Sequence, residues 1–121
     1  MLRSFALSAG LLFAAASPAF AAECVQPYAP TIPNGTTAAK EDMLRAQDEV
    51  KGFIAASDNF QECILLDIQN QRTVAAHDQK TVDQSIIDAA NARIATNQRE
   101  KERVGAEYNA AVKAYTAAHP H

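Results

Sequence analysis

Between residues 38 and 118 the apolar positions recur at alternating steps of three and four, the spacing of one face of an α-helix. The first stripe runs through Met43, Ala46, Val50, Phe53, Ser57, Phe60 and Ile64. It weakens beyond that point, continuing through Ile68 and Val74 with Asp67 and Gln71 at positions where apolar residues would be expected. A second stripe follows through Ile87, Ala90, Ile94, Asn97, Lys101, Val104, Tyr108, Ala111 and Tyr115. No glycine or proline lies between Gly52 and Gly105, so the two stripes belong either to one very long helix or to a hairpin. The segment Ala76-His77-Asp78-Gln79-Lys80 has no apolar face, and Thr81-Val82-Asp83-Gln84 fits the S/T-x-x-E/Q capping box that opens a helix. A break near His77 is therefore expected, with helices over about 38–76 and 82–118 folded into an antiparallel, coiled-coil-like hairpin. Each stripe then covers the other.

Pairing the helices about that turn makes residue numbers across the seam sum to about 156. Phe60 falls level with Asn97, Phe53 with Val104, and Val50 with Tyr108. Ser57 meets the polar zone of Asn97 and Lys101, and buried polar residues in such a seam fix its register at some cost in stability.

The chain before the hairpin obeys different rules. Pro27, Pro30 and Pro33 fix φ and remove a backbone donor at every third position, so residues 22–36 form an extended arm close to polyproline II. Asn34-Gly35 supplies a turn, and Thr36 or Thr37 caps a first helix with Glu41 and Asp42 near the positive end of its dipole. An arm of 13 steps from Cys24 to Thr37 spans about 40 Å at 3.1 Å per residue. The 26 residues from Thr37 to Cys63 rise about 39 Å. An arm turning back at Asn34-Gly35 thus reaches Cys63 with Cys24. Gly52, Ala56 and Cys63 lie within about 40° of one another on the helix, a track of small residues on which the arm would lie, covering apolar surface with Val25, Tyr28 and Ile32.

The first residues explain why those cysteines matter. Arg3, an apolar run from Phe5 to Ala16 and the small-residue site Ala19-x-Ala21 have the order of a cleavable export signal over residues 1–21. Its apolar core is too short for a spanning helix, and Glu23 before Cys24 argues against lipidation. Export places Cys24 and Cys63 in an oxidising compartment, where an intramolecular disulfide is the expected pairing; an intermolecular bridge or two free thiols are the alternatives. The expected location is the periplasm or the exterior.

Charge narrows the partners. The chain carries 11 basic and 14 acidic residues, a net charge of −3, and Arg3 is the one basic residue within 1–21. The basic residues Arg99, Lys101 and Arg103 are interleaved with Glu100 and Glu102, so nucleic acid is not an expected partner. No later apolar run is long enough to span a membrane.

Chemistry is sparse. There is no C-x-x-C, no H-E-x-x-H, no phosphate-binding glycine loop and no nucleophile with a histidine nearby in sequence, so neither an enzyme nor a cofactor is expected. His119 and His121 flank Pro120 in the tail, residues 119–121, and are weak candidates for a transition metal. Asn34-Gly35-Thr36 has the form of a glycosylation sequon but reads as turn chemistry.

The arm from Cys24 to Gly35, Met43, Val50-Lys51-Gly52-Phe53, Glu62-Cys63 and the closing Tyr108 to Tyr115 segment together resemble a group of short uncharacterised exported proteobacterial proteins. That resemblance implies a periplasmic location and a shared fold, and no activity. Leu65, Leu66, Ile54, Ile68 and Val112 leave more apolar surface than one hairpin hides. The expected function is accordingly protein interaction through helical surface, with envelope proteins or by self-association into a four-helix arrangement. A holdase-like chaperone and a weak metal binder are the alternatives.

Overall fold

The structure, a computed structural model, describes residues 23–120. The export signal assigned to residues 1–21 and the metal candidate His121 lie outside the described residues. Two antiparallel helices carry the fold, α1 (Lys40–His77) and α2 (Gln84–Ala118), and no strand occurs among the described residues. The break falls where the apolar face lapses.

The turn is built from backbone geometry. Gln79 adopts φ 55°, in the left-handed region. This lets the Gln79 N–H donate to the Ala76 carbonyl at 3.0 Å and the Lys80 N–H to the Ala75 carbonyl at 2.7 Å. These are the paired bonds of a Schellman motif, which satisfies the last carbonyls of α1. At the other side of the turn Asp83, not Thr81, is the N-cap: its carboxylate accepts from the Ser85 N–H at 2.9 Å. The second helix thus opens two residues later than the capping box implied.

Helix α1 begins at Lys40 rather than near Ala38, and Ala39 caps it without a side-chain bond. Neither Thr36 nor Thr37 caps it. Instead the Asn34 carbonyl accepts from the N–H groups of Thr37 and Ala38, and the Asn34 side chain accepts from the Thr36 N–H at 3.0 Å. This local turn reverses the chain between arm and helix.

The seam has the expected register. Met43, Ala46, Val50, Phe53, Ser57, Phe60, Ile64 and Ile68 are buried on α1, and Ala90, Asn97, Val104 and Ala111 on α2. Val50, Phe53 and Val104 form one apolar cluster, joined by Tyr108, Ile54, Ala29 and Ile32. Phe60, Ile64, Ile68 and Ala90 form another, joined by Ile94 and Cys24. Each cluster includes arm residues, so the arm is a third layer of the core. Fully burying a side chain the size of valine or phenylalanine is worth about 1.5–3 kcal/mol, and a two-helix protein has few of them.

Between the two clusters lies a polar band. Ser57 and Asn97 are both fully excluded from solvent, and the Asn97 amide donates to the Ser57 hydroxyl oxygen at 3.1 Å. Gln61 donates to the Asn97 carbonyl at 2.8 Å, and Lys101 pairs with Asp58 at the edge. No buried side-chain polar atom lacks a partner among the described residues.

Candidate functional site: the cleft between the helices

Cys24 and Cys63 form a disulfide with their Cα atoms 5.7 Å apart, closing a sequence separation of 39 residues. The arm returns antiparallel to α1, as its length implied. Its seat is different from the expected one. Gly52 and Ala56 are exposed, and a Cβ added at Gly52 would meet nothing within 4 Å, so the arm does not run over the small-residue track. It lies instead in the cleft between α1 and α2, where an extended chain contacts two helices at once and buries more apolar surface than it would on one.

The facing residues follow from three residues per turn. Val25, Tyr28, Thr31 and Asn34, each three apart, are all exposed, with Tyr28 at 97% and Val25 at 81%. Cys24, Pro27, Pro30 and Pro33 are partly covered, as are Ala29 and Ile32, and Gly35 is buried. Of the three apolar residues expected to cover the hairpin, only Ile32 does so.

Both ends of the arm are fixed on α2 as well as α1. Gly35 rests on the α2 backbone: a Cβ there would overlap the Ala111 carbonyl oxygen and lie 2.9 Å from the Tyr115 nitrogen. At the other end the Arg93 guanidinium donates to the Cys24 carbonyl at 3.4 Å and stands 5.2 Å from the centroid of the Phe60 ring, a cation–π position. Nothing in the sequence pattern marks Arg93, because its role depends on where the arm crosses α2.

The cleft does not end with the arm. Past Cys24 it continues towards the hairpin turn as an open groove of about 450 Å³, with Ile64, Ile68, Ile86 and Ala90 among its walls. A second space of about 450 Å³ shares Asp67, Gln71 and Ile86 with the first and runs on to Val74 and Val82. Among the described residues lining these two spaces, Glu23, Asp67 and Asp83 carry carboxylates and Arg93 a guanidinium; Asp67 accepts from the Gln71 side-chain amide at 2.8 Å and Asp83 from the Ser85 N–H at 2.9 Å.

The remaining candidates lie apart from the cleft. The His119 ring stacks on Tyr115 with centroids 4.1 Å apart, and its Nδ1 lies 2.9 Å from the Tyr115 carbonyl oxygen. His77 is exposed beside Asp78 at the turn. No group of three His, Cys, Asp or Glu side chains is placed to hold a metal among the described residues. Arg103 pairs with Glu107 at 2.8 Å and Glu100 at 3.4 Å, which raises its pKa above the ordinary value. Ile68, expected to add to the exposed apolar surface, is in the core, whereas Leu65, Leu66 and Val112 are exposed. No helix among the described residues is long and apolar enough to cross a membrane.

The chain matches no protein-family model, no curated protein and no solved structure.

Proposed function

We propose that this chain is an exported, non-enzymatic envelope protein that acts through its helical surface, docking to another envelope protein or to a second copy of itself. The observation that carries this reading is the surplus of apolar surface on a disulfide-closed hairpin. Leu65, Leu66, Val74, Ile86 and Val112 are between 37% and 66% exposed, and Val74 and Ile86 line one groove. Single exposed apolar residues are ordinary, but Val74 and Ile86 are brought together in one groove, and apolar side chains gathered in a groove are a usual mark of a docking surface. The export pattern before Cys24 and the disulfide support an oxidising compartment.

Crosslinking in cells, read beside sedimentation of the purified protein at micromolar concentration, tests this. A defined crosslinked species or a dimer that disappears in a Leu65→Lys, Leu66→Lys variant is expected. A strict monomer with no species sensitive to that substitution would contradict it.

A second reading, a holdase-like chaperone, is favoured by the cleft's capacity to seat an extended chain. It predicts that the purified protein suppresses aggregation of an unfolded model client.

A further inference from the structure

The turn that joins the arm to α1 places a side-chain amide beside a glycine nitrogen. Asn34 is exposed, and its side-chain carbonyl accepts from the Thr36 N–H at 3.0 Å. That bond folds the Asn34 side chain back along its own main chain, as in an Asx turn, and draws electron density from Cγ. Neither the Asn34 Nδ2 nor the Gly35 N–H has a hydrogen-bond partner among the described residues. Gly35 has no β-carbon to crowd the approach of its nitrogen to Cγ. An electrophilic carbon, a neighbouring nitrogen and a leaving group in solvent thus meet at one position. The other asparagines, Asn59, Asn70, Asn91, Asn97 and Asn109, lie within α1 and α2, where the following residue carries a side chain and the helical hydrogen bond holds its amide.

We propose that Asn34 is a site of self-modification, in which deamidation to isoaspartate unseats the arm from α2. The Gly35 nitrogen bonds to Asn34 Cγ and gives up its proton, the Cγ–Nδ2 bond breaks, and ammonia leaves with that proton from a cyclic succinimide. Water then adds at either ring carbonyl. Opening at Cγ leaves aspartate, and opening at the α-carbonyl leaves isoaspartate, in which the main chain runs through Cγ. Isoaspartate lengthens the main chain by one carbon, about 1.5 Å, and turns the former α-carbonyl into a branching carboxylate. That carbonyl is the acceptor for the Thr37 and Ala38 N–H groups, so the turn loses the bonds that reverse the chain. Gly35 is the next residue, wedged on the Ala111 carbonyl with no room for an added carbon, and the longer chain cannot keep both that seat and the start of α1. Aspartate keeps the main chain and still accepts from the Thr36 N–H. The inference concerns the lifetime of the strapped fold and is independent of the interaction reading above.

The test incubates the oxidised chain at mildly alkaline pH and follows it by peptide mapping with mass spectrometry and by enzymatic methylation of isoaspartate. Asn34 is expected to convert to a mixture of isoaspartate and aspartate while the helical asparagines stay intact. The isoaspartate form, separated by chromatography, is expected to melt several degrees below the starting chain with the Cys24–Cys63 bond still closed, and Asn34→Asp to melt with the starting chain. An Asn34 that persists in the folded chain while the same residue in a synthetic peptide of residues 24–36 converts overturns the site. An isoaspartate form that melts with the starting chain overturns the loss of the arm's seat. So does an Asn34→Asp variant that melts as low as the isoaspartate form, because the loss then comes from charge and not from the longer chain.

Discussion

Gly35 lies against the carbonyl of Ala111 so closely that a β-carbon could not be placed between them. The obstructing atoms are helix backbone, held by the hydrogen bonds of α2, and cannot swing aside as a flexible side chain would. Gly35→Ala must therefore lift the arm or bend the helix. Forced overpacking costs about 1–3 kcal/mol, and the upper end is expected here. The measurement is thermal unfolding with the disulfide intact, and an unchanged melting temperature would contradict the contact.

The Ser57–Asn97 bond makes a different kind of prediction. Asn97→Leu removes the donor to Ser57 and the acceptor of Gln61, leaving a fully buried hydroxyl without its partner at a cost of about 1–3 kcal/mol. Replacing both residues, Ser57→Ala with Asn97→Leu, is expected to recover most of that loss. Chemical denaturation of the single and double variants checks it; a double variant as unstable as Asn97→Leu would show that the bond is not what the single change breaks.

At the turn, Gln79 holds a left-handed conformation that costs a residue with a β-carbon about 1–2 kcal/mol. Glycine carries no such penalty, so Gln79→Gly is expected to raise stability by about 1 kcal/mol. Loss of stability in the same denaturation experiment would mean that the Schellman turn is not the one formed.

Asp83 ties the same turn to pH. The Ser85 backbone N–H, followed by its hydroxyl, donates to the Asp83 carboxylate and holds its pKa below the ordinary 3.8. A depressed carboxylate stabilises the fold above the unfolded-state value and loses that effect as pH falls through the folded one. The destabilisation caused by Asp83→Ala is therefore expected to be full above pH 3.8 and to shrink below it. Melting curves from neutral to strongly acidic pH read this, and a difference that stays constant would refute the cap.

Much of this fold was legible in the sequence because helices write their contacts at fixed spacing. Every residue of the first stripe from Met43 to Ile64 is buried, and Phe53, Val104 and Val50 meet as the register required. Matching the rises of two chain types also sufficed to pair Cys24 with Cys63. Which face the arm presents was not legible. That phase is set by the three-dimensional cleft, and a track chosen from α1 alone ignores the surface α2 adds, so Gly52 and Ala56 were favoured while Gly35, Ala111 and Arg93 carry the contacts. The break near His77 is where α1 ends, but the start of α2 was placed two residues early because Thr81 and Asp83 are both good caps, and geometry across the turn decides between them. Gln79 gave no signal, since glycine and asparagine are the usual residues in its conformation. The open groove was invisible for the same reason as the arm's seat.

The disulfide straps the arm into the cleft as a third layer of the core. Closing the loop between Cys24 and Cys63, separated by 39 residues, is worth about 4 kcal/mol in the chain-entropy model. For a domain of this size each kcal/mol moves the melting temperature by about 4–8 °C. The most direct measurement is thermal unfolding of the oxidised chain beside a Cys24→Ser, Cys63→Ser variant. A drop of more than about 10 °C is predicted on these scales, and superimposable melting curves would contradict the claim.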